Sequence, residues 1–149
     1  MSKKSFTLVE LMVVVAIISI LAAGLLVGLG GARKKARDGR RISDLRNVQA
    51  ALEVYYSQNN KYPSATDWTS LQTALKNAGV TSRLPDDPIS GQHYDYTDCD
   101  SQQRYIIRAQ LEDPTHNCPP NYSPPDTAGC SDATFSCPAD CSWVCISFK

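Results

Sequence analysis

The chain has 149 residues, 42% of them hydrophobic, with fifteen basic and fifteen acidic side chains and no formal net charge. That length suits one domain plus attachments. The zero charge hides an asymmetry: a hydrophobic first thirty residues, a basic collar at 33–41 (RKKARDGRR), then an acidic remainder of 108 residues, enough for one modest core.

The first element is the apolar stretch. Leu11 to Leu29 carries no charge and, as a helix, would be roughly 28 Å long, close to a bilayer's hydrocarbon thickness. Ser19 is its one clearly polar side chain, able to bond back to its own helix. Three readings compete: a secretory signal peptide cut near LAA at 21–23, a plain membrane anchor, or a short leader cut before Phe6 with the helix retained. Glu10 separates them. An acid costs about 2.5–3.5 kcal/mol at a membrane helix centre, and less near an end. A discarded or solitary segment gains nothing from it. Cleavage before Phe6 would create an α-amino group that a neighbouring helix's Glu10 could meet in apolar surroundings, setting the register between subunits.

SFTLVELMVVVAIISILAA closely resembles the amino-terminal segment of type IV prepilins and pseudopilins. On that resemblance Lys3 and Lys4 belong to a basic leader, Ser5–Phe6 is the prepilin peptidase site, Phe6 is N-methylated and Glu10 is the family's glutamate. The family usually has glycine where Ser5 stands. Many pilins have a proline where Val27 stands, and here Gly24, Gly28, Gly30 and Gly31 make the flexible point instead, each costing a helix roughly 1 kcal/mol relative to alanine. Gly24 and Gly28 also form a G-x-x-x-G pattern that lets helices approach. The resemblance implies an inner-membrane, single-pass precursor with its carboxyl-terminal part outside the cytoplasm. Its subunits are extracted into a helical homopolymer, an extracellular pilus or periplasmic pseudopilus, by a membrane assembly platform with a cytoplasmic motor. Against this orientation, two lysines precede the apolar run and six Lys/Arg follow it within twelve residues, which the positive-inside rule reads the other way.

In the collar, Arg33, Arg37, Arg40 and Arg41 fall on one side of a helix. They suit lipid phosphates before assembly or the acidic heads of neighbouring subunits. Nucleic acid ranks behind both, because any polyanion satisfies a basic helix. Next, Ile42, Leu45, Val48, Leu52, Tyr55 and Tyr56 recur at three-to-four spacing, the stripe of an amphipathic helix that stops at Asn59–Asn60 before Pro63. Residues 65–79 predict a short helix capped by Thr66 or Asp67, with Trp68, Leu71 and Leu75 inward and Gly79 as the stop. Residues 84–98 predict a turn-rich loop leading into a strand. Its PDDP resembles the loop after the helices in major pseudopilins. Residues 103–112 predict a strand with Tyr105, Ile107, Ala109 and Leu111 on one face, and 142–148 a last strand.

The six cysteines are Cys99, Cys118, Cys130, Cys137, Cys141 and Cys145. No C-x-x-C pair occurs, so disulfides in an oxidising compartment are favoured over zinc, with fifteen pairings open. Asp95, Asp98 and Asp100 are a weak calcium set whose spacing misses the EF-hand loop. His116 near Cys118 invites a nucleophile reading, but disulfide pairing competes. Phosphate-loop, G-x-S-x-G and HExxH signatures are absent from the sequence, so no enzyme and no cofactor is expected.

The expected fold is α+β: a long amino-terminal helix packed on a small antiparallel sheet, with a disulfide-rich carboxyl-terminal region. Its parts are a leader at 1–5, a membrane or filament-core helix at 6–31, an amphipathic half at 32–61, a globular α/β head at 62–113, and a cysteine-rich loop and last strand at 114–149. The expected function is a pilin cleaved by prepilin peptidase and polymerised into a surface filament. The alternatives are a pseudopilin of a type II secretion-like system and, from another class, a secreted disulfide-rich binding domain behind an ordinary signal peptide.

Overall fold

The structure is a computed structural model that describes residues 7–113, 123–132 and 135–148, with the side chains of 24–29 and 148 outside the description. Ser5, Phe6, Cys118 and His116 therefore lie outside the described residues. The chain divides into two compact units, Met1–Lys34 and Lys35–Lys149. Helix α1, Leu8–Asn59, contributes to both.

In the first unit α1 has large apolar side chains exposed from Leu8 to Leu21. The Ser19 hydroxyl donates to the Val15 carbonyl oxygen at 2.7 Å, the back-bond that keeps a polar group satisfied on an apolar helix. The helical backbone runs unbroken through Gly24, Gly28, Gly30 and Gly31. Among the described residues no helix is long and apolar enough to cross a membrane. The uncharged run Leu11–Leu29 is a property of the full sequence, and its last six residues fall within 24–29.

In the second unit the amphipathic stripe does what its spacing predicts. Leu45, Val48 and Leu52 are buried in the main core, and Ile42, Tyr55 and Tyr56 pack against it. The helix ends at Asn59. Asn60 then takes a left-handed conformation (φ 53°), which asparagine tolerates better than most residues, and its N–H donates to the Tyr56 carbonyl. Helix α2, Trp68–Asn77, is capped by Asp67, whose carboxylate accepts the Ser70 N–H at 2.9 Å. Its far end closes as a Schellman motif. Gly79 (φ 71°) donates to Lys76, and Val80 donates to Leu75. Leu71 and Leu75 face the core.

Three antiparallel strands follow: β1 Asp95–Cys99, β2 Arg104–Gln110 and β3 Trp143–Phe148, in the order β1-β2-β3. The first begins inside the stretch predicted as loop. The other two are shorter at their ends than the sequence patterns suggest. Tyr105, Ile107, Ala109 and Leu111 enter the main core as predicted. Ile106 joins a second buried cluster with Cys99, Phe135 and Cys145, against which Cys130, Cys137 and Trp143 pack. Both faces of the sheet are therefore covered. Alternation along β2 implied one polar face, and the cysteine-rich tail covers that face instead.

The tail is stapled by Cys99–Cys130 and Cys137–Cys145. Cys141 is also disulfide-bonded, and no cysteine among the described residues is free. Gly129 (φ 76°) marks where the tail meets the β1–β2 turn. A Cβ there would stand 2.2 Å from an Asp100 carboxylate oxygen, so that side chain would have to move, and the left-handed backbone itself favours glycine.

Candidate functional site

Two places carry the unusual chemistry of this chain: the start of α1 and the collar.

At the start of α1, one Glu10 carboxylate oxygen accepts from the Thr7 N–H at 2.9 Å and from the Thr7 hydroxyl at 2.7 Å. The Glu10 N–H is 3.3 Å from the Thr7 hydroxyl oxygen. This is a capping box, which satisfies helix N–H groups that would otherwise lack partners. Sequence reasoning treated Glu10 only as a partner for another chain and missed Thr7. The signal was present, because TLVE is S/T-x-x-E directly before an apolar run. The two roles are compatible in one carboxylate, which has about four lone-pair sites.

The collar is not one solvated basic face, and here the structure corrects the reading from spacing. Arg41 is fully buried. Its Nε donates to Asp87 at 2.7 Å and its Nη2 to the other Asp87 oxygen at 2.9 Å, a bidentate fork. Nη1 donates to Asp38 at 2.6 Å and to Glu112 at 2.9 Å, and Nη2 also reaches Gln92 at 3.2 Å. Those five bonds match the five N–H groups of a guanidinium. Arg37 forms a second fork onto Glu112, both bonds at 2.6 Å. Asp38 accepts the backbone N–H groups of Glu112 and Asp113. Three segments are thus tied together: α1, the PDDP loop and the exit from β2. Arg33, Lys34, Lys35 and Arg40 remain exposed, with Arg40 3.6 Å from Asp44.

The cluster has an acid limit. The Arg37 guanidinium, with Arg41 behind it, holds the Glu112 carboxyl down at about 2, although burial opposes this. Burial pushes Asp87 up, but hydrogen bonds from Arg41 and the Ile89 N–H outweigh it and leave Asp87 below the usual carboxylate range. A depressed folded-state value means stability that is present above the unfolded value, 4.5 for Glu112, and is lost as pH falls through the folded one. The thermal midpoint of the head should therefore be nearly flat from neutral pH down to about 5, then fall between about 4.5 and 2. Circular dichroism melts across that range check it. Equal midpoints at pH 6 and pH 2.5 would remove the cluster from the stability of the head.

The other predicted residues are spread out. Asp95 pairs with Arg108 and Asp100 with Arg104, each at 2.8 Å, while Asp98 is buried on β1 with one oxygen unsatisfied. Among the described residues no group of three or more His, Cys, Asp or Glu side chains converges as a metal site. His93 is exposed on the loop before β1.

With this geometry in view, the family described as the prokaryotic N-terminal methylation motif matches residues 1–26. The chain is similar to type II secretion system core protein G of Pectobacterium carotovorum: 33% identical over 96 residues, 58% of this chain and 62% of that protein. It is similar to the protein of the same description in Klebsiella michiganensis: 32% identical over 104 residues, covering 62% and 72%. It is also similar to the type IV wide pilus major component PilA4 of Thermus thermophilus: 43% identical over 79 residues, covering 53% and 56%. The chain thus spans between about half and three quarters of the length of these curated relatives. No solved structure matches it.

Proposed function

The chain belongs to the type IV pilin and pseudopilin family, and from that premise we propose that it is a structural subunit, cleaved between Ser5 and Phe6, methylated at Phe6 and polymerised into a surface filament. One observation carries the reading: the uninterrupted segment from Ser5 to Ala23, with an acid at the head of an otherwise apolar helix. Glu10 sets subunit register by meeting the amino group of a neighbour, in surroundings where an unpaired charge is disfavoured. Leu11–Leu29 stores the precursor in the inner membrane and then becomes filament core. Gly24, Gly28, Gly30 and Gly31 let that helix stretch on assembly. The partners are identical subunits, prepilin peptidase and a membrane assembly platform with a cytoplasmic motor. The disulfides support placing the head outside the cytoplasm, against the charge count around the apolar run. No catalytic role is assigned.

A periplasmic pseudopilus is the second reading, favoured by the similarity to core protein G of type II secretion systems. Imaging cells that lack the gene separates the two: missing surface fibres support the pilus, and unchanged fibres with failed secretion support the pseudopilus.

The mature amino terminus tests the shared premise. Sequencing of the processed chain should start at Phe6, with the first residue methylated. A mature chain starting near Gly24 would instead make this a secreted domain behind a signal peptide and would end the filament reading.

A further inference from the structure

A groove of about 410 Å³ opens on the Lys35–Lys149 unit, lined by the first turn of α2, the residues leading into β1, Arg108 of β2 and the cystine-held tail. Its size falls within the usual range for small-ligand sites, roughly 300–1,000 Å³. Trp68 lines it, half-buried and held in place. The indole N–H donates to the Pro85 carbonyl oxygen at 3.2 Å, and the ring stands edge-on to Tyr94 with centroids 5.3 Å apart. Arg108 is equally fixed. Its Nε donates to Asp95 at 2.8 Å, its Nη1 donates to the Ser136 carbonyl oxygen at 2.6 Å, and its guanidinium carbon lies 4.0 Å from the Phe135 ring centroid and 4.4 Å from that of Trp143. Rigid aromatic and guanidinium groups of this kind lose little entropy on meeting a ligand.

The charges around the groove select the ligand. Four carboxylates line it: Asp67 is occupied in capping α2, Asp86 pairs with Arg83, Asp95 pairs with Arg108, and Asp132 stands on the tail side. Two of the four carboxylates are ion-paired and a third is held by its helix cap, so the groove is not a bare trap for a cation, yet carboxylates so engaged keep lone pairs to accept hydroxyl groups. Gln72, whose side-chain oxygen accepts the Leu84 N–H at 3.1 Å and whose amide N–H groups can donate, and His93 add further hydrogen-bonding groups in the same lining. A held indole, paired charges and dense donors and acceptors suit an uncharged ligand with an apolar ring face and many hydroxyls.

We propose that this groove binds a neutral saccharide, with the sugar ring against Trp68 and its hydroxyls on Gln72, His93 and Asp95. The groove belongs wholly to the head, so the inference does not depend on how α1 assembles.

The test uses the full chain in phosphocholine-headed micelles, since sugar-headed detergents would compete. An array of neutral oligosaccharides is screened, and the best is titrated while the Trp68 indole N–H resonance is followed. Saturable binding that shifts this resonance is expected. His93→Ala, on an exposed residue, and Gln72→Ala should each weaken it about threefold to tenfold with the fold retained by circular dichroism. Absence of any binding above the empty-micelle blank would overturn the proposal. So would binding that both variants leave unchanged, or binding confined to cationic peptides or acidic sugars.

Discussion

Replacing Arg41 with alanine should cost the head about 3–5 kcal/mol of folding stability, the usual consequence of removing one partner from a buried charge cluster. The loss arises from what remains. Asp38 and Asp87 are almost fully buried beside Arg41, and without the guanidinium their charges would stand uncompensated in the protein interior. Arg41→Lys should recover only part of the loss. An ammonium has three donors and no fixed fork, whereas Arg41 spans Asp87, Asp38, Glu112 and Gln92 at once. Gln92→Ala, which removes only the longest of these bonds, should cost under about 1 kcal/mol. Denaturant unfolding followed by far-ultraviolet circular dichroism measures all three. For a unit of this size the Arg41→Ala loss corresponds to a thermal midpoint lower by about 10–20 °C. A loss below about 1 kcal/mol would mean that solvent reaches the cluster and screens it. The expected order, alanine worst, lysine intermediate and Gln92→Ala mild, separates a specific guanidinium clasp from a generic basic neck.

This neck is also where the sequence was least legible. Six cations among nine residues look like a surface feature, and helical spacing puts four of them on one side. Arg41 has Asp38 three residues before it and Arg40 has Asp44 four after it, so nothing local distinguishes the two; the partners that bury Arg41 while Arg40 stays in solvent, Asp87 and Glu112, lie 46 and 71 residues away in sequence. Burial of a charge is decided by a fold that composition does not contain. Leu45, Val48 and Leu52, the Asp67 cap and the Gly79 stop were readable because helix period and capping are local rules. The inward face of β2 was readable for the same reason, but its opposite face was not, since Ile106 is buried by a tail held in place by cystines. The pairing of those cystines was one choice among fifteen. The groove beside Trp68 gathers residues from five separate stretches and has no motif at all. Thr7 is a different case. Its capping box is written in four consecutive residues, TLVE, and the Thr7–Glu10 contact follows from a local rule alone.

The same cap bears on the second large expected effect, on assembly. Glu10→Ala should leave cleavage and membrane insertion intact and sharply reduce filaments, but alanine removes two things together: a negative charge and the carboxylate that closes the Thr7 cap. Two further variants part them. Glu10→Gln keeps a side chain that can serve in a capping box while deleting the charge. Thr7→Ala deletes the cap partner and keeps the charge, at a cost of about 1 kcal/mol to a helix start. If Glu10 sets register by meeting a neighbour's amino group, charge is the essential property. The glutamine variant should then fail like alanine, with filament yield down at least about tenfold, which a loss of about 1.4 kcal/mol per contact would produce. Thr7→Ala should assemble at close to the normal yield, because contacts along a bundled helix replace what one cap contributed. The reverse pattern, normal filaments from glutamine and few from Thr7→Ala, would reassign Glu10 to helix capping within its own chain. Electron microscopy of sheared filaments, normalised to processed subunit in the membrane fraction, reads the outcome directly. Normalising in this way keeps any fault in cleavage at Phe6 from being counted as a fault in register.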